Sequence, residues 1–501
     1  MTGGSLWLET AGERPATTPL ETVERADVVV LGGGITGITT ALLLQEAGAD
    51  VVVLEAARVG DGVTGHTTAK VTSQHGLIYH RLTTSFGADT ARRYGAAQEA
   101  ALDWIEHRVA QDGIDCDLRR QDAYAFAMNA EERAAVEREC DAARAAGLPA
   151  GIVGETPLPF PVAAALRFTG QAEFHPLRYL MAVAGRFLAA GGRIHERSRA
   201  VQVDQGGPVV VKTPGGRVGA DHVVVATHYP FPDRSLAWAR VTQHRSYVIA
   251  CRIAGAPPAG MHISAGSPSR SVRAAPDGAG GELVLIGGEG HRTGAPVDTE
   301  ARYAALERFA RAHWDVEEIP YRWSSQDATT AGGLPYVGRF QPFGERALMA
   351  TGFAKWGMTG GTAAALLLAD QVLGREHTSA AVFDPLRPRR QALPTMLREG
   401  AANVGRLVGD SLRTPARDGV EALAPGEGAI VRHGGERVAA HRRDDGSLVA
   451  VSTRCSHQGC QVAWNPAERS WDCPCHGSRF SPEGEVLHGP AVHRLERKPL
   501  A

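Results

Sequence analysis

The sequence has no excess of either charge, since 53 Lys and Arg residues and 55 Asp and Glu residues give a net charge of −2. A nucleic-acid-binding domain is usually clearly basic, so we expect no nucleic-acid partner. No apolar run approaches the roughly 18 residues of a membrane helix, which predicts no membrane span. Residues 1–21 lack a basic segment followed by an apolar one and lack a twin arginine, so we expect a cytoplasmic protein.

Cysteine is scarce over most of the chain. Cys116, Cys140 and Cys251 are scattered, and the other four lie between Cys455 and Cys475. This distribution excludes a disulfide framework along the whole chain and predicts a small metal-binding module near one end. A length of 501 residues suggests about three domains, or two if one of them is large.

A β-α-β unit lies near the start of the chain. Residues 27–31 and 51–54 are almost continuous apolar runs, which are typical of buried parallel strands. Between them, residues 38–47 have helical apolar spacing, and Gly48 follows as a stop signal. The pattern predicts strand, helix and strand within about 30 residues.

The turn between the first strand and the helix reads Gly-Gly-Gly-Ile-Thr-Gly over residues 32–37 and fits G-x-G-x-x-G. Gly32 permits the tight turn, Gly34 lets the backbone approach a pyrophosphate, and Gly37 lets the helix pack closely on the sheet. Glu55, at the end of the next strand, is placed to accept hydrogen bonds from ribose hydroxyls. These features together predict a dinucleotide site.

The composition changes after residue 375. Residues 376–418 contain several prolines, and residues 395–412 fit one amphipathic helix, so we predict a linker with a helix. In residues 419–501, short alternating strands and turn dipeptides such as Asp445-Gly446 are typical of a small all-β module.

Several segments of residues 25–375 resemble the D-amino-acid-oxidase-like superfamily of FAD-dependent oxidoreductases. Besides the glycine turn, the matching segments are 62–70, 201–203, 222–227, 333–338 and 351–359. The resemblance implies FAD contacts from Gly32, Gly34, Ile35, Thr36, Gly37, Glu55, Thr64, Thr67, Thr68, Lys70, Val201, Ala226, Thr227, Gly352, Gly357, Met358 and Thr359. Gly332 stands where many relatives have an acidic residue, which is a local departure from the pattern.

The most specific pattern pairs Cys455-x-His457 with Cys473-x-x-His476. Two thiolates and two imidazoles are the ligand set of a Rieske [2Fe–2S] centre, with cysteines on one iron and histidines on the other. Structural zinc can use the same residue types and is the alternative.

The region also resembles the disulfide-containing Rieske proteins of respiratory and photosynthetic bc-type complexes. That resemblance implies that Cys455, His457, Cys473 and His476 are the metal ligands. It further implies a disulfide between the two remaining cysteines of the cluster, Cys460 and Cys475.

Signals for the substrate side are weaker. Lys355 follows the glycine of the last flavin segment and is a catalytic candidate, because a cation there would stabilise reduced flavin or bind a substrate carboxylate. His75 and Arg273 are the other two catalytic candidates. Arg245 and Arg270 are further residues that could bind a carboxylate.

We therefore predict an α/β fold in residues 1–375, made of a Rossmann-like FAD domain and an α+β substrate domain, then the linker and a small all-β Rieske domain. The predicted activity is oxidation of a small amine or amino acid by hydride transfer to FAD. Single electrons then pass through the cluster to an external acceptor, and the expected partners are the small-molecule substrate and a one-electron acceptor or donor protein. The alternatives are an NAD(P)H-linked reductase, for which residues 286–290 lack the required glycine spacing, and a redox sensor without turnover.

Overall fold

The computed structural model describes residues 4–231, 240–341, 344–387 and 416–500. The α-helices in these ranges are α1 Leu6–Thr10, α2 Ile35–Glu46, α3 Tyr79–Phe86, α4 Ala88–Asp112, α5 Ala130–Ala145, α6 Pro176–Ala189, α7 Thr299–His313, α8 Gly357–Val372 and α9 Ala380–Phe383. A short 3-10 helix spans Val63–His66. The amphipathic helix predicted for residues 395–412 lies outside the described residues.

The strands fall into two groups along the chain. The strands before the predicted linker are β1 Val23–Leu31, β2 Val51–Leu54, β3 Lys70–Val71, β4 Arg119–Ala127, β5 Ala150–Val153, β6 Ala164–Glu173, β7 Arg193–His195, β8 Gln202–Asp204, β9 Val209–Lys212, β10 Arg217–Val225, β11 Val241–Ile253, β12 Met261–Ser264, β13 Arg270–Pro276, β14 Glu282–Arg292, β15 Val316–Thr330, β16 Tyr336–Gln341 and β17 Gly344–Thr351. Those after it are β18 Arg417–Asp418, β19 Gly428–His433, β20 Glu436–Arg442, β21 Leu448–Ser452, β22 Ala463–Asn465, β23 Ser470–Asp472, β24 Arg479–Phe480 and β25 Val486–His488.

The first sheet has the strand order β16-β17-β10-β1-β2-β7, with β9 pairing with β10 and β8 pairing with β9. Strand β1 is parallel to both β10 and β2. All four residues of β2 are buried, as expected for a central parallel strand covered on both faces. Helix α2 begins three residues earlier than predicted, because Gly34 is its extended N-cap residue.

The second sheet has the order β15-β11-β14-β13-β12-β4-β6-β3, with β5 added beside β6. It belongs to the part of the chain for which an α+β domain was predicted, and α7 follows its strand β14, with Asp298 as the N-cap residue. The C-terminal part contains two four-stranded sheets, β18–β21 and β22–β25. None of the helices in the described ranges has the length and hydrophobicity needed to cross a membrane.

Candidate functional site

The glycine turn between β1 and α2 leaves no space for side chains. Gly32 has a φ of +108°, which favours glycine, and a Cβ there would lie 2.6 Å from the carbonyl oxygen of Ala226. A Cβ on Gly37 would overlap the carbonyl oxygen of Gly32. The turn is therefore a bare backbone cradle at a helix N-terminus, which stabilises an anionic phosphate.

Glu55 is fixed beside this cradle. Its carboxylate accepts hydrogen bonds from the backbone N–H of Gly33 at 2.6 Å and of Ala57 at 2.7 Å. Burial raises the pKa of Glu55, while these two N–H groups and the nearby Arg199 lower it. Both Glu55 and Arg199 line a cavity that extends from the glycine turn.

The second predicted flavin segment lies across the turn. The hydroxyl of Thr64 accepts a hydrogen bond from the backbone N–H of Ile35 at 3.1 Å. Lys70 is buried, and its Nζ donates to the carbonyl oxygen of His262 at 2.6 Å. Burial lowers the pKa of Lys70 to about 7, so this ammonium loses its proton more easily than a surface lysine does.

The last predicted flavin segment, residues 351–359, leads from β17 into α8, whose first residues line the cavity. The hydroxyl of Thr359 donates to the carbonyl oxygen of Thr72 at 2.9 Å and ties α8 to the chain just after the second segment. A Cβ on Gly361 would lie 2.6 Å from the Thr36 hydroxyl, so α8 packs closely on α2. The N-terminus of α8 is therefore held against the same cavity as the N-terminus of α2.

One cavity collects most of the predicted flavin contacts. The predicted site residues that line it are Gly32, Gly34, Ile35, Thr36, Glu55, Thr64, Thr67, Thr68, Lys70, Ala226, Thr227, Lys355, Gly357 and Met358. The predicted contacts outside its lining are Gly37, Val201, Gly352 and Thr359. The bare glycine cradle, Glu55 and the two helix N-termini fit a dinucleotide such as FAD.

The four predicted metal ligands lie together in the C-terminal part. Cys455 and Cys473 are buried thiols, and the ring centroids of His457 and His476 are 5.0 Å apart. Both ring nitrogens of His476 are buried, and neither has a hydrogen-bond partner among the described residues. Burying such atoms without a partner is costly, so the arrangement fits a bound metal cluster.

The predicted disulfide links the two loops that carry these residues. Cys460 and Cys475 are bonded, as the resemblance implied. The sulfur of Cys473 lies within 4.8 Å of both disulfide sulfurs. The bond therefore lies directly beside the cluster site and holds its two loops together.

The cluster site and the flavin cavity share a wall. The ring of His476 lies 6.4 Å, between centroids, from the ring of Tyr229, which lines the cavity. On the same side, His228 and His488 also line the cavity, with their ring centroids 5.3 Å apart. Residues 489–492, from the Rieske part, complete this wall.

A buried ionic network joins the C-terminal part to the second sheet. Arg245 on β11 pairs with Glu468 at 2.6 Å, and Arg479 pairs with the same carboxylate at 2.8 Å. Nearby, the side-chain amide of Gln326 donates to the carbonyl oxygen of Gly477 at 2.9 Å. The loop that carries His476 is therefore fixed on strands β11 and β15 of the second sheet.

Comparison with known families agrees with both halves of the site. A family model for FAD dependent oxidoreductases matches residues 27–371, and one for the Rieske [2Fe-2S] domain matches residues 417–499. The chain belongs to the FAD dependent oxidoreductase family. The predicted α/β and all-β fold class is confirmed, as are FAD and a Rieske [2Fe–2S] cluster as cofactors, and the structural-zinc alternative is wrong.

Two relatives and one solved structure are similar to this chain. The putative Rieske 2Fe-2S iron-sulfur protein YhfW of Bacillus subtilis (strain 168) is 37% identical over 98% of this chain and 96% of its own length. Gamma-glutamylputrescine oxidoreductase of Escherichia coli (strain K12) is 33% identical over 42% of this chain and 51% of its own. The crystal structure of glycine oxidase from Geobacillus kaustophilus covers 73% of this chain and 99% of its own with a TM-score of 0.60 at 20% identity, which shows a shared fold.

The position of His75 does not fit the predicted catalytic role. It does not line the cavity of this FAD dependent oxidoreductase. Its Nδ1 lies 2.6 Å from the Tyr94 hydroxyl, its Nε2 lies 2.8 Å from the carbonyl oxygen of Thr72, and its ring stacks on Trp356. Burial lowers the pKa of His75 to about 3, so the ring stays neutral and supports the cavity wall.

Arg273 is also outside the cavity lining. It pairs with Glu173 at 3.2 Å and donates to the carbonyl oxygen of Ala69 at 2.7 Å. These contacts hold the second flavin segment in place from the side away from the cavity. Arg270 is engaged by Glu289 at 2.6 Å. Of the three predicted catalytic residues, Lys355 alone lines the cavity.

Many cavity residues were not predicted from the sequence, among them Tyr229, Asp327 and His488. Tyr229 belongs to the FAD-binding part and His488 to the Rieske part. They line one cavity only because the Rieske part docks here, and no local sequence pattern predicts that docking. For Asp327 the sequence offered a weak indication, because aspartate is uncommon within strands and Asp327 lies within the long strand β15.

The glycine cradle gives a direct test of flavin binding. Gly37→Ala is expected to yield protein without bound FAD, because the added methyl group overlaps the Gly32 carbonyl and forces α2 away from β1. The ratio of flavin to protein absorbance after purification measures this. Gly185→Ala in α6, where a Cβ meets nothing within 4 Å, should keep the full flavin content. Full occupancy in Gly37→Ala would contradict the cradle assignment.

Proposed function

We propose that this chain oxidises a small amine or amino acid by hydride transfer to FAD and passes the electrons one at a time through its Rieske cluster to an external acceptor. FAD supplies two-electron chemistry when bound, and the cluster carries single electrons. The names of the relatives support the substrate class, since one is a gamma-glutamylputrescine oxidoreductase and another a glycine oxidase. Cytoplasmic location stays a prediction.

The shared wall is the observation that carries this proposal. His476 contacts Tyr229 on the cavity side, and residues 489–492 of the Rieske part line the cavity itself. A cluster next to the flavin site has a short path for electrons. The ionic network through Glu468 holds the Rieske part on the second sheet and so keeps the distance between the flavin site and the cluster site constant.

Within this proposal the chain's own groups have distinct roles. Glu55 accepts hydrogen bonds from the adenosine ribose, and the N-termini of α2 and α8 face the anionic parts of the cofactor. Cys455, His457, Cys473 and His476 hold the cluster. The predicted flavin contacts that line the cavity keep that role, Lys355 is the proposed catalytic group, and Gly37 and Thr359 act through helix packing.

Anaerobic titration tests the proposal. Purified holoenzyme is mixed with a panel of amines and amino acids, and separately with NADH and NADPH, while the flavin absorbance band is followed. We expect at least one amine or amino acid to bleach the flavin, and the reduced-cluster EPR signal to appear with it. Bleaching by NADPH, with none by any panel member, would reverse the direction of electron flow and refute the proposal.

A further inference from the structure

Asp327 is a carboxylate in the wall of the flavin cavity. It lies on β15 and is only 6% exposed, and it lines the cavity together with Ser246 and Ser325. It forms no ion pair with any basic residue that the structure describes, although a buried carboxylate is costly without a counter-charge. The site therefore offers one buried anionic group to a ligand.

Lys355 brings the opposite charge to the same cavity. It is exposed, and it extends towards β14, where its Nζ lies 3.7 Å from the point that a Cβ on Gly290 would occupy. The hydroxyl of Ser246 lies 3.4 Å from that same point. The absence of a side chain at Gly290 keeps the space between Lys355 and Ser246 open.

We propose that Asp327 and Lys355 form a clamp for a zwitterionic amino acid, with the substrate ammonium on Asp327 and the substrate carboxylate on Lys355. The inference rests on the proposed oxidation of an amine or amino acid and narrows it to the amino acid. Two opposite charges that line one cavity without pairing directly match a ligand that carries both charges. A simple amine would engage only half of the clamp.

The environment of Asp327 also suits a proton acceptor. Burial raises its pKa to about 7, against the lowering effects of Lys355, Arg245 and Ser246. An ammonium must lose a proton before its neighbouring carbon can release a hydride, and a base with a pKa near the working pH does this well. The proton passes from nitrogen to the Asp327 carboxylate and gives a neutral amine. The C–H electron pair then leaves as hydride to oxidised FAD, and the nitrogen lone pair forms the C=N bond of an iminium product.

Matched ligand pairs test the clamp. Proline is compared with pyrrolidine, alanine with ethylamine, and N-methylglycine with dimethylamine, so that each amine lacks only the carboxyl group. Binding to the oxidised holoenzyme is measured by calorimetry, and flavin reduction by anaerobic stopped flow. We expect at least one amino acid to bind about 10- to 100-fold more tightly than its amine, the range for one charge-assisted contact.

Two variants separate the two halves of the clamp. Lys355→Gln should remove the preference for the amino acid over its amine, because only the amino acid has a carboxylate for residue 355 to bind. Asp327→Asn should weaken both members of a pair and remove the near-neutral limb from the pH profile of kcat/KM, whereas Asp141→Asn on the exposed face of α5 should change neither. Flavin content is measured first, to show that each variant is folded.

The outcomes distinguish failure of the clamp from failure of the proposed function. A preference that persists in Lys355→Gln, or none in the unaltered protein, overturns the clamp. If amines reduce the flavin without any preference, the proposed oxidation stands and the clamp fails. If amino acids bind preferentially but reduce nothing, the clamp stands and the proposed oxidation fails.

Discussion

Cys473→Ser is expected to remove the cluster and slow electron delivery to a one-electron acceptor by at least about 100-fold, since loss of groups that merely support a metal ligand already costs 10- to 100-fold. Substrate should still reduce the flavin at close to the original rate, because the cavity is lined mainly by the FAD-binding part. Iron content and EPR measure the cluster. Stopped flow with cytochrome c as the acceptor measures delivery.

The matched control is Cys140→Ser, a buried thiol on α5 that lies outside the Rieske part. It should keep both the cluster and the rate of delivery. Because metal binding contributes to the folding of small domains, flavin content and flavin reduction are measured in Cys473→Ser as a check on the rest of the chain. Fast reduction of cytochrome c without a cluster would place the acceptor directly at the flavin.

The parts of the site that the sequence predicted are local in the chain. The glycine turn lies between a strand and a helix that follow at once, so periodicity and glycine spacing identify it. The ligands Cys455 and His457 are two positions apart, and Cys473 and His476 are three apart. Such spacing is fixed by the geometry of a single loop, and it does not depend on the rest of the fold.

The parts that the sequence could not predict depend on distant partners. Arg273 was a catalytic candidate, yet it is held by Glu173, which lies on a different strand of the second sheet. Asp327 faces the cavity only because β15 lies beside β11 at the edge of that sheet. Arg245 was a candidate carboxylate binder, and its actual partner, Glu468, follows 223 residues later in the other domain.

The docking of the Rieske part has a functional consequence. In the proposed reaction, the flavin and the cluster need a constant separation if electrons are to follow the same path in every turnover. Residues 489–492 line the flavin cavity, so this separation is set by the position of one domain on the other. The Glu468 network is the ionic contact that holds this position.

Glu468→Ala is expected to destabilise the docked Rieske part by about 3–5 kcal/mol, because removing one partner of a buried ionic network leaves a buried charge uncompensated. The charge left without a partner is that of Arg245, whose side chain is 3% exposed, whereas Arg479 keeps its ion pair with Asp472 at 2.9 Å. Loss of the cluster's visible absorbance during denaturation in urea measures the change. Internal electron transfer after rapid flavin reduction should slow in parallel, since the path length is no longer fixed.

The control uses an exposed pair in the same domain. Asp444 pairs with Arg469 at 2.7 Å, but these side chains are 67% and 53% exposed. Asp444→Asn should therefore cost no more than about 1 kcal/mol, because solvent screens such a pair. Equal losses in the two variants would show that the buried network has no special role in docking.

The pH dependence of stability is a second, independent test of the role of Glu468. Burial raises the pKa of Glu468, but Arg245 and Arg479 outweigh this effect and hold the pKa at about 2, below the ordinary value of 4.5. A carboxyl group with a lowered pKa stabilises the folded state fully above its unfolded pKa, and this contribution is lost as the pH falls towards the folded value. The unaltered protein should therefore lose stability steeply between about pH 4.5 and pH 2, whereas Glu468→Ala should have a flatter profile in that window because the titrating group is gone. Parallel profiles for the two proteins would mean that Glu468 is not the carboxylate that secures the domain.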